Sequence, residues 1–504
     1  ALKNKSIEGS SCRVAELIHL SIHPALWCAT RSMTPSPHSY SMRWGLSRLS
    51  SHQERKIHSG VINICRAMRV LLPLEIVNRE LDGKIWLTLK LLEENHEVII
   101  GKTPSILKSM DIFNPNIIFV FPRMFEENYF SDNTGTVSLD KEGGVFSSEE
   151  AYYNRITPEP TKSVHTFFAW GTKPAEIARS AGCNNVIVSG NPRFDLLRPS
   201  LSTIYDDEAK KINEEFGSFV LINTNFTRGN HHSGSPLRVP QKGEQINNDT
   251  DLDEFLVGQF VDAARDLAHV DKNLSVIIRP HPSENHETYT QFTENHDSLF
   301  TIHDGSVRPW IKASDVVIHN GCTTGIESSI MNVPTIAYCP EKKTTSNLTK
   351  ADLPNKVSMS EIDKDSLINT VSGYTSTDEE YELSESKRKL LGEYFHNVNE
   401  MSAPIIVNEI SKMEGRHTNN FKPSIRERFK RLLTRVVGDR AMSRIRGSGI
   451  KKSWLYSNQK FSFMSTSELS SNINKFKDHI AFPAKEIQIR RIRRIENTFH
   501  ISRI

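Results

Sequence analysis

The sequence predicts an α/β protein of two doubly wound, Rossmann-like halves with parallel sheets facing a central cleft. Three observations lead there. Short apolar runs of strand length alternate with helical periodicities from Arg69 onward. The alternation breaks once, near 190–218, and then begins again. Two apolar runs of the second series, Val276–Ile278 and Val316–Ile318, end in polar turn residues suited to an anion. Strands alternating with helices imply βαβ units and parallel sheets, and open parallel sheets bind ligands beyond their strand C-termini.

In the first half, Arg69–Leu74 is a buried-strand pattern. Asn78–Asn95 is a helix with Leu81, Ile85, Leu89 and Leu92 on one stripe, and Glu97–Ile100 is a second strand. A helix near Ser105–Ile112 and strands at Ile117–Phe121 and Thr136–Leu139 follow, the last running into Asp140-Lys141-Glu142-Gly143-Gly144. Thr166–Trp170 and Val186–Ser189, separated by the helix Pro174–Ala181, complete a domain spanning 68–200. Gly190–Asp195 interrupts the pattern, and the polar helix Asp206–Phe216 leads into Phe219–Asn225.

The second half spans 201–414. His231–Asn248 reads as a loop and Asp251–Leu267 as a helix. Strands are expected at Ser275–Ile278, Phe300–Ile302, Val316–Ile318 and Thr335–Tyr338, with helices Leu383–Phe395 and Pro404–Glu414 closing the body.

Residues 1–67 hold 12 serines, nine Lys/Arg and only three acids without periodicity. They read as an unstructured extension, or as sequence upstream of a start at Met68, in preference to a transit peptide. Residues 415–504 form a basic tail with 21 Lys/Arg against 6 Asp/Glu, whereas the remainder has 42 against 54, although the whole chain carries only +3. Within the tail Ile425, Phe429, Leu432, Leu433, Val436 and Val437 recur at helical spacing among arginines. A basic amphipathic helix fits either an anionic lipid surface or a protein partner, while Arg490–Arg494 reads as disordered. Nucleic acid is a poor partner for an acidic body with no recognisable binding module. Six widely spaced cysteines with no CxxC pair suit a reduced, cytoplasmic protein. No apolar run approaches the roughly 20 residues that span a bilayer, so membrane contact would be peripheral, at the inner face.

Candidate chemistry gathers at the strand ends. Arg279 and His281, in Arg279-Pro280-His281-Pro282, can neutralise and hydrogen-bond a phosphate oxygen, with the prolines stiffening the turn. In His319-Asn320-Gly321-Cys322-Thr323-Thr324-Gly325-Ile326-Glu327 a strand breaks into a small-residue turn and a helix start. The glycines permit close backbone approach to an anion, and the Thr323 and Thr324 hydroxyls add donors. Glu327 either accepts from ribose hydroxyls or completes a Thr324-x-x-Glu327 capping box. From the first half, Asp140 and Glu142 offer a carboxylate base, unless Gly143-Gly144 makes this only a turn. Asp251-Leu252-Asp253 is the acidic first turn of a helix in preference to a metal site, and no metal or resident cofactor is expected. Asn191, Arg193, Asp195 and Asn223-Thr224-Asn225 line the hinge or shape strand-end loops, and the His231-His232 pair shows no partner.

Leu74-Glu75 through Arg79-Glu80-Leu81-Asp82, Asp140–Gly144, Phe168–Gly171, Gly190–Leu197, Leu221–Phe226, Arg279–Pro282 and His319–Glu327, as an ordered set over about residues 69–345, resemble the bacterial and archaeal surface carbohydrate biosynthesis protein family. That family resembles GT-B glycosyltransferases, including capsule Kdo transferases and bacterial sialyltransferases, and also CDP-glycerol glycerophosphotransferases and UDP-GlcNAc 2-epimerases. The resemblance implies a phosphate-binding role for His281 and a nucleotide-binding role for Thr323 and Thr324. It implies a base at Glu142, or at Asp140, because Lys141 stands where the pattern wants an acid.

The expected function is therefore a GT-B glycosyltransferase of surface glycan assembly. It would move a sugar from a nucleotide-sugar co-substrate, a CMP-nonulosonic acid being the leading choice, onto a glycan or lipid-linked glycan acceptor. Arg279, His281, Asn320, Gly321, Thr323, Thr324, Gly325 and Glu327 would hold the donor, with Glu142, Asp140 and His281 catalytic. A glycerophosphotransferase or an epimerase is the alternative enzyme, and a scaffold of a glycan assembly complex is the non-enzymatic one. The oligomeric state is left open.

Overall fold

A computed structural model of the chain describes residues 67–107, 109–121, 134–157, 164–237, 246, 248–340, 352–377, 380–413, 461, 464–483, 486–493 and 495–504. The amphipathic stretch Ile425–Val437 and residues 1–66 lie outside these.

The first half is built on β1 (Arg69–Leu74), β2 (Glu97–Lys102), β3 (Ile117–Val120), β4 (Gly135–Leu139), β5 (Thr166–Ala169) and β6 (Val186–Val188). These run parallel in the order β2-β1-β3-β4-β5-β6. Helix α1 (Val77–Glu93) covers the sheet through the expected stripe, with Ile85, Leu89 and Leu92 fully buried. The second half has β7 (Phe219–Asn223), β8 (Ser275–Arg279), β9 (Leu299–Thr301), β10 (Val316–His319), β11 (Thr335–Tyr338) and β12 (Met359–Glu361), all parallel in the order β12-β11-β10-β7-β8-β9. Helix α2 (Asp249–Val270) packs Leu256, Phe260, Val261 and Ala264 onto β7 and β8 residues such as Val220, Ile222 and Val276. Near-continuous apolar strands are what a sheet covered on both faces requires. The two halves around a cleft are the architecture expected from the alternating pattern.

Several expectations are corrected. The helix near Ser105–Ile112 is two short helices, Thr103–Leu107 and Met110–Phe113. The second half does not keep all of 201–414. After Glu385–Tyr394 the chain crosses back, and α3 (Ser402–Lys412) packs on α1 of the first half. The crossing is tied down by Asp195, fully buried, which accepts from Trp86 Nε1 at 2.9 Å, Asn397 Nδ2 at 2.5 Å, Ser402 N at 2.7 Å and Ala403 N at 2.9 Å. Asp195 is thus a structural anchor with no place on a ligand surface. Gly144 is required here, because a Cβ would lie 2.7 Å from the Phe395 ring and 2.9 Å from Trp170.

The tail is also more than a basic helix. Helix α4 (Thr466–His479), with a capping box made by Ser465 and Glu468, buries Leu469, Ile473 and Phe476. A hairpin of β13 (Ile487–Arg491) and β14 (Thr498–Arg503) then adds antiparallel to the free edge of β2. Arg490 and Arg491 are strand residues, placed there because Phe499 and Ile501 on the partner strand are buried in the sheet's covering layers. Among the described residues no helix is long and apolar enough to cross a membrane.

The Asp195 carboxylate serves four donors from three segments, so Asp195→Ala leaves them buried and unpaired at about 1–3 kcal/mol each before relaxation. Urea unfolding should show a loss of at least about 3 kcal/mol, with Asp195→Asn less affected. An Asp195→Ala midpoint equal to wild type would contradict the anchoring role.

Candidate active site

The C-terminal ends of β7, β8 and β10 open onto a cleft of about 580 Å³ whose opposite wall comes from the first half. Second-half lining includes Asn223–Asn225, Arg279, His281, Gly321, Thr323, Thr324 and Glu327, while Arg79, Glu142 and Arg155 come from the first half. The two strand tips singled out in the sequence therefore do share one crevice. Asp140, Asn320 and Gly325 are not on its wall.

Arg279 leaves the end of β8 and is 6% exposed. Its Nη2 donates to the carbonyls of Asp304 at 3.0 Å and Gly305 at 3.1 Å, and the guanidinium lies 5.1 Å from the Trp310 ring. Its Nη1 has no hydrogen-bond partner. Burial pulls the group down to about 10, so it stays a cation at neutral pH. His281, two residues on, accepts from the Ser283 N–H through Nδ1 at 3.2 Å, which leaves the ring proton on Nε2 as a donor.

What fixes this turn is a residue that sequence reasoning missed. Glu284 is fully buried. It accepts from the His281 N–H at 2.8 Å, the Thr224 hydroxyl at 2.6 Å, the Phe226 N–H at 3.0 Å and the Tyr289 hydroxyl at 2.8 Å. Burial raises its pKa, and the four donors work against that shift. One carboxylate thereby locks the β8 turn to the β7 turn. The His231 segment docks on the same turn: His231 bridges to Glu284, His232 N donates to the Ser283 carbonyl at 2.9 Å, and His231 Nδ1 meets Ser233 Oγ at 2.8 Å. The histidine pair does have partners.

At the second tip, β10 passes into α5 (Thr323–Ile330), whose N-cap is Cys322. The Cys322 sulfur accepts weakly from Thr324 N at 3.5 Å, so the expected Thr324/Glu327 capping box is not formed. The Gly321 N–H donates to Asn355 Oδ1 at 2.8 Å, and Asn320 Oδ1 accepts from the same amide at 3.4 Å, so both are engaged in holding the turn. Gly325 serves packing: its Cβ would sit 2.2 Å from His319 Nε2. Thr323 and Thr324 remain at the cleft wall in the first turn, where the helix dipole favours an anion.

Glu327 does line the cleft, but as part of a buried ionic chain between the halves. It stands 3.8 Å from Arg193 Nε and 3.5 Å from Arg308 Nε. Arg308 also reaches across to Asp82 Oδ2 at 3.0 Å and the Arg79 carbonyl at 3.2 Å. Burial opposes its charge, yet Tyr205, Glu327 and Asp82 outweigh that and raise its pKa.

Of the two acids weighed as a base, only Glu142 reaches the cleft. Asp140 is 1% exposed, ion-paired to Arg155 and accepting the Glu142 N–H at 3.2 Å, so it shapes the loop from beneath. Glu142 is ion-paired to Arg79. Burial raises its pKa, but Arg79, Arg193, Arg155 and His281 together hold it below the usual carboxylate range. It is therefore ionised at neutral pH. Asp249 and Asp251 form the acidic first turn of α2, capped by Asn248, and Asp253 accepts the Arg228 N–H at 2.9 Å.

Arg155 and Arg308 also escaped the sequence reading, and Arg79 entered it only within the resembling stretch, without a role at the site. For Arg79 and Arg308 the available signal was charge at helix starts behind strand C-termini, where a cleft between sheets should lie; Arg155, in the last turn of its helix, carried no such signal.

No family model matches the sequence, and no curated protein matches it. Among solved structures, the chain is similar to UDP-GlcNAc 2-epimerase from Neisseria meningitidis bound to UDP-GlcNAc, at 13% identity over 68% of this chain and 100% of that one, TM-score 0.46. It is similar too to the wall teichoic acid polymerase TagF, at 10% identity over 68% of this chain and 88% of that one, TM-score 0.46. A third is the Methanocaldococcus jannaschii UDP-GlcNAc 2-epimerase in complex with UDP-GlcNAc and UDP, at 12% identity over 69% of this chain and 100% of that one, TM-score 0.43.

His319, buried beneath α5, is pulled by burial from 6.5 to about 3. Below pH 6.5 the unfolded chain takes up a proton that folded His319 refuses, so stability falls as pH drops toward 3, by about 1.4 kcal/mol per unit. His319→Gln should flatten that slope in urea titrations over this window. Parallel slopes for the two proteins would refute the assignment.

Proposed function

We propose that the protein is a GT-B-type glycosyltransferase of surface glycan assembly that uses a nucleotide-activated sugar. The observation that carries this is Arg279. Of the five arginines on the cleft wall, Arg79, Arg155, Arg228 and Arg308 each have a carboxylate within ion-pair distance. Among the described residues Arg279 has none, is nearly buried, and keeps Nη1 without a hydrogen-bond partner, two residues before His281 on the same cleft wall. Asp304 acts on it only from beyond ion-pair distance; a buried guanidinium with no paired carboxylate is costly, and a phosphate oxygen at that point would satisfy it with a charge-assisted hydrogen bond.

On this reading the donor's phosphate lies against Arg279, His281 and the first turn of α5, which meet the charge that develops as the sugar leaves. One arginine and one imidazole suit a single phosphate, in keeping with a CMP-linked nonulosonic acid. Glu142, on the facing wall, takes the proton of the acceptor hydroxyl. Its pairing with Arg79 holds it ionised at neutral pH. The acceptor is a glycan or lipid-linked glycan.

Titration calorimetry with CMP, CDP and UDP should find one nucleotide that binds, and Arg279→Gln and His281→Ala should each weaken it by about tenfold or more. Nucleotide affinity unchanged in both variants would defeat the site. Glu142→Gln should bind the nucleotide as wild type does but lose transfer by on the order of 10²-fold or more. Release of CMP from a CMP-sugar marks the proposed transfer, a phosphodiester product from CDP-glycerol marks glycerophosphotransfer, and no nucleotide-dependent stabilisation marks a scaffold.

A further inference from the structure

A second cavity, about 40 Å³, sits on the first half at the ends of β1, β3 and β4, walled by α1 and by Asn191–Arg193. Its charged lining is Arg79, Glu80, Lys84, Asp140, Lys141 and Arg193, four cations against two acids. The acids are already engaged: Asp140 with Arg155, and Glu80 with Arg79 at 3.6 Å and Lys141 at 3.8 Å. Lys141 is held more closely by Glu75, at 2.6 Å.

Two cations are left undersatisfied. Lys84 has no carboxylate within ion-pair range among the described residues; its ammonium lies 5.0 Å from the centre of the Phe119 ring, and burial pulls it down to about 8. Arg193 is 4% exposed, with its guanidinium over Phe194 at 4.6 Å and Trp170 at 5.2 Å. Its Nε and Nη2 make no hydrogen bond, and its carboxylate contact, Glu327, is 3.8 Å away. A buried fork of open N–H groups, in a pocket shared with an ammonium that only Glu80 offsets and from beyond ion-pair range, has the chemistry to hold an oxyanion. The space holds two or three water volumes, enough for a carboxylate or phosphate group and too little for a sugar ring. Asp140 Oδ2 and Glu80 Oε1 make no hydrogen bond, although Glu80 Oε1 is in ion-pair range of Arg79 and Lys141, and both can accept from hydroxyls carried next to that group.

Arg79 belongs to both cavities. Its Nη1 pairs with Glu142, while its Nε has no partner. We propose that the small pocket takes the oxyanion of an acidic acceptor, and that the oxyanion's arrival draws Arg79 away from Glu142, which is then free to act as base. This rests on the transferase reading above. In the step, the acceptor O–H breaks and its proton passes to Glu142. The acceptor oxygen bonds to the anomeric carbon, and the bond from that carbon to the donor phosphate breaks with its electron pair going to phosphate. The proton is later released to solvent.

Binding is tested first without nucleotide, in full-length Arg279→Gln protein so that the cleft's own anion site is silent. Glycerol 3-phosphate and methyl glucuronide are compared with glycerol and methyl glucoside by calorimetry. The proposal expects an acidic compound to bind and its neutral counterpart not to, Lys84→Met to weaken binding about tenfold or more, and Lys84→Arg to restore it. The response to phosphate against carboxylate identifies the acid. With active protein, the acidic limb of the kcat profile should lie at higher pH for an acidic acceptor than for its neutral analogue, and Lys84→Met should abolish that difference. Equal binding of acidic and neutral compounds, affinity indifferent to Lys84→Met in a protein with native circular dichroism, or coincident pH limbs would each overturn it. These outcomes are separate from loss or retention of nucleotide affinity in Arg279→Gln, which judges the transferase reading alone.

Discussion

Glu284 is the constraint on which the geometry of the second half's tips rests. A fully buried carboxylate is tolerable only if its oxygens are satisfied, and here all four donors come from the two turns that border the cleft and the helix behind them. Because two of the donors are backbone N–H groups, the paths of the β7 and β8 turns are set together. Arg279 and His281 are held by what lies beneath them, so they can present donors to the cleft without being stabilised by it. Such pre-organisation removes the cost of ordering at the moment a ligand arrives.

The halves are joined by a different device. Arg308 and Arg193 place guanidinium groups around Glu327 and Asp82, linking α5 to α1 across the cleft floor. Several of these nitrogens and oxygens make ion pairs without good hydrogen bonds, notably Arg308 Nε, Arg193 Nε and Glu327 Oε2. An arrangement of close but imperfect charge pairs has more than one acceptable geometry. Asp195, by contrast, is satisfied by four donors and fixes the crossing of the chain in one geometry.

Much of the fold was legible because parallel strands covered on both faces are written as apolar runs, and the runs at 69–74, 117–120, 219–223 and 335–338 need no tertiary context to be seen. The two cleft-facing tips were legible for the same reason, since each is an apolar run ending in residues with an affinity for anions. What could not be read are roles assigned by distant partners. Glu284 looks like any acid after a Pro-Ser turn until Thr224 and Phe226 are brought to it. Arg308 finds Asp82 at a separation of 226 positions. Gly325 was read as room for a ligand, whereas the ring it accommodates is the protein's own His319. Asp140 and Glu142, two residues apart, were indistinguishable by type, and only burial separates the one beneath the loop from the one on the wall. In the tail, charge masked the alternation of Ile487 and Ile489 that marks β13.

The strand that covers β2 comes from far along the chain: His500 contacts Glu97 across 403 positions. During synthesis on the ribosome, the all-parallel second sheet has every strand it needs by Glu361, while the earlier-made sheet still has a bare edge on β2. The part translated later can thus mature sooner. Until its own hairpin emerges, the first sheet presents an open strand edge on β2, the kind of edge on which neighbouring chains can pair.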